Sequence, residues 1–390
     1  MKHQNKNKIL VVPGTGFIRA YSGTQYLIDE LLGNGVDVRV VLRCSPEEAD
    51  EYRNLPLKIQ LYVTKFNPLQ IPGKIEGLFF RLILFFKMLT FNSVLVTETK
   101  YLFLSALVKK MKPSLLLVHF CQELNLVEEY PDNKSAKIYA RYAKIPDVVI
   151  DVEPHRAQAR KEKVGLQHKP FVLMNTMPAQ NVMSPSVDGT LAQIAGVEFP
   201  KGIPVLLHAG GIGKEKPLER VIDAIAMCKK DVFFLAFCSG QTEEIQLLSG
   251  YAATKLKPGS YHIRKGIQRS KLMPAMHEAD IGVIDYTYSV EPTLNQKYCA
   301  PTKLFEFMAY GVTVLGSNNE SLRDIVESEN IGFCAREDSI ESLSQALDQL
   351  LSCDAQILGA MKTRARELFI KKYSYEVLCS PQVKYLIGKL

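Results

Sequence analysis

Gly210-Gly211-Ile212-Gly213-Lys214-Glu215-Lys216 stands between an apolar run, Pro204–His208, and a helical pattern, Leu218–Cys228. A glycine-rich passage from strand to helix frees backbone amides to point at a ligand, and lysines beside it neutralise charge, which together suit a phosphate. It is not a Walker loop, because the Gly-Lys here is not followed by Ser or Thr. A solvated lysine pair at a turn is the alternative. Farther along, Glu306 interrupts an apolar helix in Pro301–Gly316, PTKLFEFMAYGVTVLG. Near a helix start the macrodipole favours a carboxylate that a ligand can reach; otherwise Glu306 is a surface residue completing an amphipathic helix. Two N-terminal features also invite chemistry. Gly14 and Gly16 follow the run KILVVP, where they bring the backbone near a ligand or merely make a tight turn. His119 closes the run Ser114–His119 at the edge where α/β proteins bind ligands, although a lone histidine there is also a common structural residue.

The elements needed to position these residues follow from hydrophobic periodicity. Lys8–Pro13, a helix from about Gly23 to Leu32 and strand Val36–Leu42 make a β-loop-α-β unit, the start of a doubly wound sheet. The loop fails the dinucleotide fingerprint, since Arg19 occupies the third glycine position, and this disfavours a nicotinamide or flavin oxidoreductase. Strand Ser93–Val96, helix Tyr101–Met111 and strand Val148–Val152 continue the alternation. Residues 175–203, with Pro178, Pro185 and Pro200, read as a linker. Beyond it come strand Val232–Phe237, strand Ser260–Ile263, helix Lys271–His277 and strand Ile281–Asp285. In the Pro301–Gly316 segment Leu304, Phe305, Met308 and Ala309 share a helical stripe, Gly311 stops the helix and Val312–Leu315 reads as a buried parallel strand.

At 390 residues the chain exceeds one ordinary core, and at 47% hydrophobic and 23% charged it is globular. Its eight cysteines form no C-x-x-C pair and no zinc-spaced cluster, so they read as reduced thiols of a cytosolic protein. The basic N-terminus runs straight into a strand without a signal-peptide apolar region. Residues 1–180 hold 25 Lys/Arg against 17 Asp/Glu, while the remainder hold 23 against 24. No nucleic-acid-binding motif accompanies this charge, so it points to anionic lipid or a phosphorylated acceptor. Residues 73–92, GKIEGLFFRLILFFKMLTFN, are the most apolar stretch; Arg81 and Lys87 interrupt it, so it is no transmembrane span. Lys74, Arg81 and Met88 recur at seven-residue spacing. A buried helix with charges at its rim, or one whose basic edge touches an anionic membrane, fits the pattern.

Lys303-Leu-Phe-Glu-Phe-Met-Ala-Tyr-Gly311 followed by an apolar strand resembles the nucleotide-sugar motif of GT-B glycosyltransferases. The likeness is to the large retaining family (family 4-like) of bacterial polysaccharide and lipid glycosyltransferases. It is specific from about 204 to 335 and architectural before that. The resemblance implies that Glu306 binds the ribose hydroxyls of the donor. It implies that Lys216, with Lys214 as a substitute, clamps the departing diphosphate beside Gly210 and Gly211; Gly211 stands where many members have an arginine. By the same resemblance Arg264-Lys265-Gly266-Ile267 holds the base mainly through backbone. Lys303 faces the phosphates or packs by its stem. Val118-His119-Phe-Cys-Gln-Glu brings His119 near the transferred sugar, and the Gly14–Gly16 loop lies against donor phosphate and acceptor. The family's second glutamate, eight positions before Glu306, is Tyr298 here, and Glu291 is out of register. Asn175-Thr-Met-Pro178 resembles the exit from the first domain, and the segment from Tyr373 resembles the helix that crosses back to it.

The expectation is an α/β protein of GT-B architecture: two Rossmann-like, doubly wound parallel-sheet domains facing across a cleft. Residues 1–178 would bind acceptor, 179–203 link, 204–372 bind the nucleotide sugar, and 373–390 form a helix crossing back. The activity expected is transfer of a sugar from a nucleotide-diphosphate sugar to a glycan or lipid-linked acceptor, in surface polysaccharide or glycoconjugate synthesis. The resemblance implies retention. Neither metal nor other cofactor is called for, since lysines and helix N-termini can stabilise the leaving diphosphate. The setting expected is the cytoplasm, peripherally on the inner face of an anionic membrane. A nucleotide-sugar 2-epimerase of the same fold, and a non-catalytic membrane-peripheral protein with a degenerate donor site, are the alternatives.

Overall fold

The computed structural model describes every residue except 1–6, 14–21, 43–59, 64–72, 183–189, 214–216 and 287–291. It divides into two compact units, Met1–Asn175 with Leu378–Leu390, and Thr176–Val377.

In unit 1 the strands are β1 (Lys8–Val12), β2 (Asp37–Leu42), β3 (Gln60–Val63), β4 (Ser93–Val96), β5 (Leu116–Cys121), β6 (Val148–Asp151) and β7 (Phe171–Val172). Helices α1 (Ser22–Gly33), α2 (Gly73–Leu89), α3 (Leu102–Met111), α4 (Lys134–Tyr142) and α5 (Pro154–Val164) alternate with them. The sheet order is β3-β2-β1-β4-β5-β6-β7, and every pairing is parallel. Parallel strands are covered on both faces, which is why KILVV and SVLV read as near-continuous apolar runs. Leu10, Val12, Val94 and Val96 pack against Phe80, Leu84 and Met88 of α2 and Leu104 and Val108 of α3. Met88, read from sequence as part of a rim stripe, is therefore a core residue.

Unit 2 repeats the plan with β8 (Val205–Gly211), β9 (Phe233–Ser239), β10 (Tyr261–Lys265), β11 (Ile281–Ile284), β12 (Thr313–Gly316) and β13 (Gly332–Cys334), ordered β10-β9-β8-β11-β12-β13. Its helices are α6 (Leu191–Ala195), α7 (Glu219–Met227), α8 (Thr242–Lys255), α9 (Arg269–Leu272), α10 (Leu294–Lys297), α11 (Thr302–Ala309), α12 (Glu320–Val326), α13 (Ile340–Ser352), α14 (Ala355–Leu368) and α15 (Tyr375–Leu378). In both sheets the order reverses beside the first strand, the topological switch point at whose carboxyl edge α/β proteins hold ligands. Residues 176–203 belong to unit 2, and α6 within them carries a Thr190–Gln193 capping box. The helix expected over Lys271–His277 is split: α9 ends at Leu272, and Pro274 sits in the 3₁₀ turn that follows.

After unit 2, the last helix, α16 (Ser380–Ile387), lies in unit 1. It contacts α1, Tyr385 lies 5.0 Å from Phe171 ring to ring, and the Cys379 thiol points to the Met174 carbonyl at 3.7 Å.

Candidate functional site

The glycine segment of unit 2 is strand where a loop was expected. β8 continues through Gly210 and Gly211, which stand in register with Cys238 and Ser239 of β9, and Ile212 N still donates to the Ser239 carbonyl at 3.2 Å. Glycines remain extended here because a neighbour takes the room a side chain would need. At Gly210, with φ at +149°, an added Cβ would lie 2.5 Å from Lys303 Cε and 2.8 Å from its Nζ. Lys303 thus projects from the first turn of α11 over the carboxyl end of β8.

Two glycines fix that helix. Phe307 lies flat on β11 at Gly282, where a Cβ would come within 2.6 Å of the ring. Gly311, at φ +64°, ends α11 as expected: its N–H bonds Met308 O, and that of Val312 bonds Phe307 O. Glu306, three residues after Lys303, shares its side of the helix. It is buried, so the surface reading fails, and its Oε1 lies 2.5 Å from Arg269 Nη2 of α9. Arg269 attracted no notice in the sequence, where it is one polar residue in a polar turn.

Lys265 is the exposed last residue of β10. Beyond it Gly266 N donates to Cys238 O at 2.7 Å, and a Cβ on Gly266 would crowd that carbonyl and Ser239 Oγ at 3.3 Å. Lys214 and Lys216, like Gly14 and Gly16, lie outside the described residues.

Asp285 was read only as the end of a strand, yet it is a buried charge just beyond β11. Arg220 of α7 bridges it to Asp338, at 3.3 Å and 2.8 Å. Burial pushes the Asp285 carboxyl up to about 6, against the attraction of Arg220 and Lys303. Ser317 and Asn319, after β12, are likewise buried. Ser317 Oγ accepts from Tyr286 N at 2.9 Å and donates to Asn319 Oδ1, and Asn319 Nδ2 donates to Gln296 O at 2.9 Å. They pin both ends of the segment leading to α11. Tyr298, in the second-glutamate position, is half-buried at the end of α10.

In unit 1, β5 runs on past His119 to Cys121, so the histidine is within the strand and buried. Its Nδ1 lies 3.4 Å from Cys121 Sγ, and its ring faces Tyr139 at 5.8 Å. Burial, helped by the nearby Arg160 charge, pushes it down to about 3, so it is neutral near pH 7. Around it lies a buried network missed in the sequence. Arg160 pairs with Asp151 at 2.6 Å and donates to Glu123 O, while Arg156 donates to Gln122 O and Gln122 to Thr24 Oγ1. Glu153 caps α5 by accepting from Arg156 N at 2.7 Å; burial pushes its carboxyl up to about 7. The signal available was DVEPHR itself, an acid before a proline at a helix start.

Residues 192–368 match the family model "Glycosyl transferases group 1". Among solved structures the fold is similar to HepE of Anabaena in complex with UDP and glucose, at 16% identity and TM-score 0.76, over 98% of this chain and 100% of that one. It is also similar to sucrose-phosphate synthase of Thermosynechococcus elongatus, at 16% identity and TM-score 0.73 over 98% and 99%. A glycosyltransferase of Rickettsia africae gives 15% identity and TM-score 0.73 over 99% of each chain. A comparison with curated proteins by sequence finds no match. Neither the 2-epimerase nor the non-catalytic alternative is favoured by these findings. The expected GT-B fold is the fold of this chain, and its segment 192–368 is similar to the group 1 glycosyl transferases.

Proposed function

We propose that the protein transfers a sugar from a nucleoside diphosphate sugar bound in unit 2 to a glycan or lipid-linked saccharide held by the basic unit 1. The observation that carries this reading is Lys303 lying over Gly210 with Glu306 one turn on. It sets a cation at the carboxyl edge of β8 and a carboxylate one turn on along the same helix side, an order that suits a diphosphate followed by a ribose. In this reading Glu306 accepts the ribose hydroxyls, exchanging part of its pairing with Arg269. Lys303, Lys216 and Lys214 stabilise charge on the departing diphosphate, the largest contribution expected of the protein. The Lys265–Gly266 backbone borders the base. His119 serves as a neutral hydrogen-bonding ring toward the sugar and not as an acid. Configuration is retained by the family resemblance, and the lysines do the electrostatic work without a metal or other cofactor.

HepE was crystallised with UDP-glucose, which makes that compound the first donor to try. The pathway we favour is surface polysaccharide or glycoconjugate synthesis in the cytoplasm, with the enzyme peripheral to an anionic membrane. Calorimetry of UDP-glucose and a panel of other nucleotide sugars against wild type and Glu306→Ala tests the donor assignment. Loss of on the order of tenfold or more in affinity is expected when a charged hydrogen-bond acceptor is removed. Equal affinity in the variant would sink it.

A further inference from the structure

We propose that the outer face of α2 and α3 docks unit 1 on an anionic bilayer by inserting apolar side chains. This deepens the peripheral-membrane part of the function proposed above. It does not depend on the transfer chemistry, because vesicle binding is read without any donor.

α2 is apolar on both sides. Phe80, Leu84 and Met88 turn inward to the core. On the opposite side Leu78, Leu82 and Phe86, at four-residue spacing, and Phe79 beside them, are 46–64% exposed. Exposed residues of this size on one helix face mark an interaction surface. α3 packs against α2 and continues the face. Phe80 meets Tyr101 at 5.9 Å, Ser105 Oγ bonds Met88 Sδ, and Lys112 Nζ donates to Phe91 O at 2.7 Å. On α3, Leu107 and Met111 are 48% and 59% exposed, one turn apart.

Charge selects the partner. From Gly73 to Met111 the acids are Glu76 and Glu98, the latter paired with Lys100 at 3.5 Å, against Lys74, Arg81, Lys87, Lys100, Lys109 and Lys110, of which Lys109 is held by Asp147 at 2.8 Å. Arg81 and Lys110 are exposed, and the Arg81 guanidinium sits 5.9 Å over the Phe103 ring, at the seam of the two helices. Unit 1 as a whole holds 27 Lys/Arg against 17 Asp/Glu, while unit 2 holds 21 against 24. A surface of phosphate headgroups over acyl chains complements both the cations and the apolar stripe. No helix among the described residues is long and apolar enough to cross a membrane, so α2 lies in the interface plane. The contact differs from the one expected from the sequence: it is the apolar outer face that inserts, and the cations flank it.

Flotation with phosphatidylcholine–phosphatidylglycerol vesicles, against phosphatidylcholine alone, tests this. Wild type should float with the anionic vesicles at low salt and keep part of its binding at high salt, since screening weakens only the electrostatic component. Phe79→Ser/Leu82→Ser/Phe86→Ser should bind on the order of tenfold more weakly or worse, with an unchanged melting curve. The chain has no tryptophan, so Phe86→Trp supplies a unique probe. Its emission should shift to the blue with anionic vesicles, whereas Leu247→Trp, at an exposed position of unit 2, should not shift. Failure of wild type to float at any salt, equal flotation of the triple variant, or no shift at Phe86→Trp would overturn the proposal. So would a lipid-free dimer that the triple variant converts to monomer, because the face would then belong to a second copy.

Discussion

The Lys303 side chain fills the space that any side chain at Gly210 would require. Gly210→Ala should therefore push Lys303 away and strain a backbone held at φ +149°, costing roughly 1–2 kcal/mol in stability. Nucleotide-sugar affinity should fall with it. Adding Lys303→Ala should return part of the stability without returning the affinity, a coupling that a double-mutant cycle in urea unfolding and calorimetry measures. Strict additivity in both would contradict the contact.

Glu306 is buried and satisfied by an Arg269 that is itself partly open to solvent. Arg269→Ala leaves a carboxylate without this partner; after allowance for solvent at Arg269, about 1 kcal/mol of stability should go. Because Glu306 is then freer to receive ribose, affinity should change far less than in Glu306→Ala. Calorimetry on the two variants side by side decides: equal losses would mean that Arg269 itself holds the nucleotide.

Asp285 binds its proton more tightly in the folded protein, at about 6 against 3.8. Its contribution to stability is therefore complete below 3.8 and is lost as pH rises through 6. The loss is on the order of 1–3 kcal/mol for so buried a group. Asp285→Asn should remove this fall from the pH dependence of the melting temperature, leaving the opposite trend of His119 more prominent; a pH dependence identical to wild type's would refute the assignment.

His119 behaves in the opposite sense. Held down to about 3 in the folded state, against 6.5 ordinarily, it resists a proton that the unfolded chain accepts. Its stability contribution is present above 6.5 and drains away as pH falls toward 3. Because Asp285 and Glu153 act in the opposite sense over the same range, the comparison is between variants: the change in unfolding free energy from about pH 7 to about pH 5 should differ between wild type and His119→Asn by roughly 2 kcal/mol, with wild type losing more.

The two sides of α2 should respond differently to truncation. Leu84→Ala opens the core and should cost about 2–5 kcal/mol, while Leu82→Ala on the exposed side should stay within about 0.5 kcal/mol. Thermal unfolding reads both.

Much of the fold was legible because parallel strands leave a long apolar trace: KILVV, SLLLVH and VTVLG announced themselves, and Gly311 ended its helix where expected. The site was legible only where a residue offended its neighbours, as Glu306 does between two phenylalanines. Residues that hold the site by reaching across the sheet left no such trace. Arg269, Arg220 and Ser317 sit among other polar residues, and only folding brings them to Glu306, Asp285 and Tyr286. Gly282 was hidden for another reason: within IGVID it passes for a weak strand residue, and its use appears only when Phe307 lies on it. Periodicity found α2 but could not say that both of its sides were apolar by design, because one-dimensional spacing does not reveal which side the sheet covers.

Leu378–Leu390 complete a unit whose other residues end at Asn175. During synthesis the first sheet must therefore wait while some two hundred residues of unit 2 leave the ribosome before α16 arrives to cover α1 and Phe171. A unit finished by its most distant piece matures last although it is made first, and a chain cut short before α16 would leave the N-terminal unit, not the C-terminal one, unsealed.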